Sequence, residues 1–545
     1  MLTAENVEFR ALNLVSEFVS LNQNSHESYC GTSSIWMSGK DLGQGIACHK
    51  ASRRIGLAGR RQLRVKEVLE IPVAEAGPMG IERRGIDYVP ANERWARPVN
   101  LFWMWAGAIF NVEYLVYGAV LMSFGLSFAQ AIFIILIGNL SWVLLGLTSL
   151  QGPLAGTTTF TINRASYGPK GSKLLAVFNW LTQVGFETEG IALIVIAGLA
   201  LASNSGVHAG IALKISLIVG ASIVQLILPL FGHEVILKTL RVLLVPFVIL
   251  FVIFAALSLS KVNVHSVHHG ANWQTMLEGL AFIITTSGLG WTENGNDYSR
   301  YLPKTSSPKA IVGWVFLGTF IPSVLLMGLG AAVATFLGSN SGSITGMAGA
   351  FSAWFLWPYL LVAIVQLFAI NSLDLYSSGV TLQALGLKFT RLQAVFFDTI
   401  ICGLLTSYAI FSNSFNTLLN EFVLFIVVWV APWTAIYLID WVLRKKKYVE
   451  EDLQKTKGGV YYRNNGFHWQ AIIAQVLGMV ASLLALDAYP HYVSPISNAT
   501  NGADFSVFTG IIVAGVAYYF LARKGVSKEV GNEALEGHLE PVDKP

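Results

Sequence analysis

Apolar residues occupy this chain in blocks of about 20, separated by short polar connections, from about residue 100 to about residue 523. A membrane-crossing helix needs about 20 mostly apolar residues, so each block predicts one span. Twelve such blocks are readable: 100–123, 126–149, 174–203, 207–231, 234–260, 274–297, 310–338, 350–372, 392–413, 417–443, 468–488 and 505–523. Gly and Pro punctuate nearly every block and blur its edges. The pattern predicts an all-α integral membrane protein with twelve transmembrane helices.

The sixth block departs from that pattern. Past Thr286 it becomes Gly288-Leu289-Gly290-Trp291-Thr292-Glu293-Asn294-Gly295-Asn296-Asp297-Tyr298-Ser299-Arg300-Tyr301-Leu302-Pro303. Hydrocarbon solvates neither free backbone nor charge, so this segment must face protein or a watery cavity. Trp291 supplies a plane on which a flat ring can stack.

Composition fixes the setting. The chain is 54% hydrophobic and 12% charged, against about 25% charged in soluble domains. A net charge of +4, scattered along the chain, gives no basic field for nucleic acid. Cys30, Cys48 and Cys402 make neither a disulfide framework nor a metal-ligand spacing, and no cofactor or metal is expected. A membrane-embedded enzyme would need a convergent catalytic set, and the spans carry no central His and no nucleophile beside a base.

Lys and Arg fall in one alternate set of loops: Arg164, Lys170 and Lys173; Lys238 and Arg241; Arg300, Lys304 and Lys309; Lys388 and Arg391; Arg444 to Lys447. Cytoplasmic loops are enriched in these residues, so both termini of a multi-pass cell-membrane protein are expected in the cytoplasm. Residues 1–95 read as a cytoplasmic tail with no signal peptide, 96–445 as a ten-helix core, 446–525 as two further spans and 526–545 as a second tail. His265, His268 and His269 read as a solvated outer loop, and Asn498-Ala499-Thr500 as a glycosylation acceptor pattern in another.

The first span has a weak point at Gly107-Ala108-Ile109-Phe110-Asn111-Val112-Glu113, and the sixth at Ser287-Gly288-Leu289-Gly290. Five spans separate them, so the second set is inverted relative to the first, the arrangement in which secondary transporters place broken helices at the midplane. Gly107, Ala108, Val112, Gly288 and Gly290 are the expected backbone of the breaks.

Two motifs add a family likeness. The run Trp291 to Pro303, with Asn371 to Gly386 in the eighth span, resembles the purine-cytosine permease branch of the nucleobase:cation symporter-1 family. Phe102-Trp103-Met104-Trp105, Gly125-Leu126-Ser127 and Gly152-Pro153 fit the same pattern, and the likeness extends over about residues 80–525. It implies a leucine-transporter-type fold with two inverted five-helix repeats plus two helices. It also implies ion-driven uptake of a nucleobase-like heterocycle such as cytosine, a purine, uracil or allantoin. In relatives an aromatic of the third span and a Trp of the sixth sandwich the ligand, and an amide of the eighth reads its edge. Trp291 and Asn371 match the latter two by position. In the third span one register offers Gln183 and Glu187, and a neighbouring one offers Phe186 with Gly190 four residues on.

Intramembrane carboxylates are functional candidates, and Glu113, Glu187, Glu189, Glu293, Asp297 and Asp374 qualify. A carboxyl in a low-dielectric cavity resists ionisation and can load and release a proton. Glu187 and Glu113 are the preferred carriers, because the third and first spans line the cavity in the resembled fold. Asp297 and Arg300 read as a structural pair one turn apart. Sodium is the competing coupling ion. In sodium-driven relatives a Ser or Thr pair precedes the eighth-span Asn, where this chain has Val365 and Gln366. A sodium-coupled symporter of another small solute, such as a hydantoin, thiamine or an amino acid, is the alternative function.

Overall fold

The glycines of the first predicted span sit where helices touch backbone to backbone. In a computed structural model that describes residues 85–535, apart from 265–269, 349–350, 352, 413–414 and 489–491, this span is two helices, α1 (Pro98–Ile109) and α2 (Val112–Ser123). They bend by 60° at Phe110-Asn111. Asn111 turns that break into a start: its Oδ1 accepts from Glu113 N at 2.7 Å and caps α2. Gly107 and Ala108 therefore lie inside α1, short of the break, and Val112 opens α2. Gly107 is needed instead for packing, since a Cβ there would fall 2.4 Å from the Leu240 carbonyl oxygen.

The second span is α3 (Phe128–Asn139) and α4 (Trp142–Thr148), with α3 opened by a Ser127–Gln130 capping box. The third predicted span, 174–203, extends back to Arg164 as α5 (Arg164–Asn204), which kinks at Gly168 before Pro169. Gly168 has φ 79°, and a Cβ on it would meet the Gly466 carbonyl oxygen at 2.6 Å, so only glycine fits. Next come α6 (Ile211–Gln225) and α7 (His233–Ser258).

The sixth span is α8 (Trp273–Thr286), a 3₁₀ segment over Leu289–Asn294 and the short α9 (Gly295–Ser299). Winding is lost at Ser287 (φ −113°, ψ −124°), one residue before Gly288. Gly288 and Gly290 belong to the unwound stretch for steric reasons: Cβ atoms there would lie 2.1 Å from the Ser141 carbonyl carbon and 2.5 Å from the Thr285 carbonyl oxygen.

The rest of the chain forms α10 (Pro308–Leu337), α11 (Ala353–Ala384), α12 (Arg391–Ser412), α13 (Phe415–Leu443), α14 (Trp469–Leu483) and α15 (Ser506–Leu535). A two-stranded antiparallel pair, β1 (Asp487–Ala488) and β2 (Tyr492–Val493), lies between α14 and α15. Ten described helices are long and apolar enough to cross a membrane, and the bent α1–α2 pair makes eleven. The sixth predicted span is absent from that count, because its longest helix, α8, has 14 residues. The expected twelve spans are thus not counted by length and apolarity alone.

Small residues set a close crossing of α2 and α10. Cβ atoms on Gly118 of α2 and Gly330 of α10 would each lie 1.9 Å from a carbonyl oxygen of the other helix, at Met327 and Leu115. α5 packs along α11 through the interior, while α14 and α15 pack on α13. Ile211, Ile215, Val219 and Ile223 of α6 and Ile400 and Leu404 of α12 point outward, where lipid is their natural solvent.

Candidate functional site

One face of α5 builds the interior site. Asn179, Gln183, Phe186 and Gly190 follow one another at four-, three- and four-residue spacing, a single helical stripe. Asn179 Nδ2 donates to Thr381 Oγ1 at 2.8 Å, and Asn294 Nδ2 donates to Gln183 Oε1 at 3.2 Å. The Phe186 ring faces the Trp291 indole, centroids 6.1 Å apart and planes 15° from parallel. Trp105 of α1 meets the other side of this arrangement, edge-on to Trp291 at 5.5 Å. The broken elements of the first and sixth spans therefore meet at an indole, which is 4% exposed.

Neighbours on three sides hold the unwound segment. Thr292 Oγ1 pairs with Thr434 Oγ1 of α13 at 2.9 Å, and Asn296 Nδ2 donates to Tyr437 OH at 2.8 Å. Gly152 N donates to Asn296 Oδ1 at 2.6 Å, Thr159 N donates to Asp297 Oδ1 at 2.9 Å, and Tyr298 OH donates to the Leu373 carbonyl at 2.7 Å. Backbone that loses its helical bonds in a membrane must find partners in protein: Gly288 N donates to Ser141 Oγ at 3.1 Å and Asn296 N to Thr159 Oγ1 at 3.3 Å. Arg300 donates to the Gly85 carbonyl and, at 2.8 Å, to Tyr376 OH, while Asp297 takes its bond from Thr159.

Asn371 lies at the far end of the α5 stripe. Its Nδ2 donates to the Glu187 carbonyl at 3.1 Å and to Gln225 Oε1 of α6 at 3.3 Å. Glu187 itself accepts from Cys402 Sγ at 3.2 Å through Oε2, and its Oε1 has no partner among the described residues. The same holds for Gln225 Nε2, Asn294 Oδ1, Glu293 Oε1 and Asp374 Oδ1, all in buried side chains. Native interiors rarely leave such atoms orphaned, so each calls for a polar partner such as water or a polar solute.

Of the residues singled out in the sequence, Phe186 faces Trp291, Gln183 shares its face of α5, and Asn371 bonds the Glu187 carbonyl. The fold separates Glu113 from Glu187. Residues 187 and 189 project to different sides of α5, and the carboxylate near Glu113 is Glu189, which accepts from Tyr117 OH of α2 at 3.3 Å. Gln225 and Asn294 were missed, as was Asp398 of α12, although each is a polar residue inside an apolar span and so carried a signal. Val365 is 42% exposed on the outer side of α11, whereas Gln366 is buried with both amide atoms unpartnered among the described residues. The histidines 265, 268 and 269 lie outside the described residues.

With the geometry known, similarity becomes decisive. Residues 88–510 match the permease family for cytosine/purines, uracil, thiamine and allantoin. The chain belongs to this family. A putative purine-cytosine permease of Bacillus subtilis is 28% identical over 83% of this chain and 98% of its own length. A purine-cytosine permease of Emericella nidulans is 28% identical over 82% and 89%. Among solved structures, a nucleobase-cation-symport-1 family transporter, closed with bromovinylhydantoin bound, aligns with TM-score 0.66 and 18% identity over 84% of this chain and all of its own. A Na⁺-coupled sialic acid symporter aligns at TM-score 0.51 and 13% identity over 79% and 91%. The permease is accordingly a multi-span membrane transporter of the nucleobase:cation symporter-1 type with the leucine-transporter fold, and not an enzyme.

Proposed function

We propose that this permease imports a nucleobase or a related flat heterocycle by proton symport, alternating access around the Phe186–Trp291 pair. The observation that carries the reading is the near-parallel approach of those two rings at 6.1 Å. An inserted aromatic ring needs faces about 7 Å apart, twice a van der Waals contact, so a small separation of the rings opens a slot of the right width. Stacking supplies affinity for any base, and amides supply orientation. Asn371, Gln183 and Glu187 border the slot and offer both donors and acceptors to a ring edge.

Coupling is assigned to carboxyls. Glu187 keeps one unpartnered oxygen beside the slot, and Glu113 sits in the first turn of α2 beside the break. A protonated Glu187 can donate to a ring nitrogen or carbonyl, and the ionised form can accept from an exocyclic amine, so proton loading alters what the slot binds. Both termini are assigned to the cytoplasm. Arg300 and Arg391 support this: both reach Tyr376, which gathers two of the basic loops at one end of the molecule.

The test is uptake of radiolabelled cytosine, adenine, hypoxanthine, uracil, allantoin and thiamine into cells lacking their own permeases. Saturable accumulation of at least one, lost in Trp291→Ala at unchanged membrane abundance, is the expected result. Undiminished uptake by Trp291→Ala overturns the slot.

A further inference from the structure

Glu187 does not end at the substrate slot. Its Oε2 accepts from Cys402 Sγ of α12 at 3.2 Å, and the Ser378 hydroxyl of α11 is close enough to act on its carboxyl electrostatically. Ser378 Oγ in turn donates to Asp398 Oδ2, and Trp180 Nε1 donates to Asp398 Oδ1 at 2.6 Å. Asp398 and Cys402 are four residues apart on α12, so Asp398 lies one turn closer to the end that carries Arg391. Beyond it on α11, Thr381 is three residues past Ser378 and accepts from Asn179 Nδ2 at 2.8 Å. A line of exchangeable groups therefore leaves the slot and runs between α5, α11 and α12 toward the end of the molecule read as cytoplasmic.

Among the described residues, no hydrogen bond or ion pair from a Lys, Arg or His reaches Glu187 or Asp398. The titratable groups facing the two carboxyls are Cys402 on α12 itself and Asp374 on α11. A structural aspartate buried in a membrane interior is ordinarily paired with a base, as Asp440 is with Arg444 at 2.7 Å. Asp398 is fully buried and is met by an indole and a serine.

Resting on the proton-symport reading, we propose that Asp398 is the second proton carrier of the permease, receiving the coupled proton from Glu187 through Ser378 and releasing it on the inner side. The step balances without another reactant. Once its unpartnered Oε1 turns to Ser378, the Glu187 carboxyl gives its proton to Ser378 Oγ as the Ser378 hydroxyl proton passes to Asp398 Oδ2, which leaves Glu187 ionised, Ser378 unchanged and Asp398 neutral. An ionised Glu187 then no longer donates to the bound ring, so proton departure and solute release are linked. Trp180 acts as a positioning residue, holding the carboxylate in line.

The experiment uses the full-length protein in proteoliposomes with an internal pH dye, and whichever of the six compounds named above the wild type accumulates. An inward gradient of one pH unit supports about tenfold accumulation by one-proton symport. Asp398→Asn keeps the shape and can still bond Trp180 and Ser378, so the expected variant exchanges labelled for unlabelled base within about twofold of wild type, yet accumulates none and acidifies no vesicles. Ser378→Ala is expected to keep exchange while coupled acidification slows, and Asp398→Glu to recover coupling. Base-driven acidification by Asp398→Asn at the wild-type rate overturns the relay and leaves proton symport standing. Loss of exchange in both Asp398→Asn and Asp398→Glu assigns the residue to helix packing and also overturns it. A wild type that accumulates base without acidification overturns proton symport, and the relay with it.

Discussion

Gly190 and the Asn371 amide compete for one volume: a Cβ on residue 190 would lie 2.1 Å from Asn371 Oδ1 and 2.6 Å from its Nδ2. The missing side chain on α5 is what allows an amide of α11 to stand inside the bundle. Gly190→Ala therefore displaces Asn371 without altering any group proposed to touch the solute. A misplaced buried amide costs about 1–3 kcal/mol, so the half-saturating base concentration is expected to rise about 5- to 150-fold. Uptake kinetics at matched membrane abundance check this. Wild-type kinetics would remove Asn371 from the site.

The two ring faces make a graded prediction. Stacking of one base on an aromatic is worth about 1–3 kcal/mol by alanine substitution. Phe186→Ala is expected to weaken uptake by that amount, and Phe186→Tyr to retain most of it, because the ring survives. Trp291 also supports Trp105 edge-on, so Trp291→Ala is expected to abolish uptake and Trp291→Phe to keep a fraction. Competition by unlabelled bases in each variant separates lost affinity from lost transport.

Much of this was legible in the sequence because membrane physics leaves few options. Blocks of about 20 apolar residues have to be helices, and the glycine-broken, carboxylate-bearing run after Thr286 had to face the interior. Which carboxylates meet was not legible. Glu187 and Glu189 are two residues apart and look equivalent in the chain, yet one turns toward Cys402 and the other toward Tyr117. That division depends on the rotation of α5 against its neighbours, which packing sets. The third-span residues share that dependence: Gln183, Phe186 and Gly190 come to one face, so the aromatic and the amide belong to a single stripe. The unwinding at Phe110 and Ser287 lay a residue or more from the glycines that signalled it, because Gly107 and Gly288 serve close helix contacts.

Proton symport fixes the sign of the pH response. A carrier must be protonated outside to load, so uptake is expected to rise as external pH falls and to be unchanged when Na⁺ is replaced by choline or K⁺. Glu187→Gln, which mimics the protonated carboxyl, is expected to bind base at all external pH values while losing the pH dependence of accumulation. Initial rates at several external pH values, with and without Na⁺, check both statements. A strict Na⁺ requirement would reverse the assignment and turn attention to Gln366.

Arg444 offers a test of stability separate from transport. Its side chain is 1% exposed, and it reaches Asp440 at 2.7 Å, Glu529 at 3.0 Å and the Ala165 carbonyl at 2.7 Å, tying α13 to α15 and α5. Asp440 is further bonded by Tyr518 at 2.6 Å and Ser166 at 3.0 Å. Removing one partner of a buried pair strands the other charge, at about 3–5 kcal/mol, whereas replacing both with apolar groups costs far less. Arg444→Met and Asp440→Leu are each expected to lower the melting temperature of the purified protein in detergent. The double variant Arg444→Met/Asp440→Leu is expected to melt above Arg444→Met alone, since no charge is left unpaired at its centre. A double variant that melts at the sum of the two losses would show that the residues act independently and that their short contact contributes no coupling.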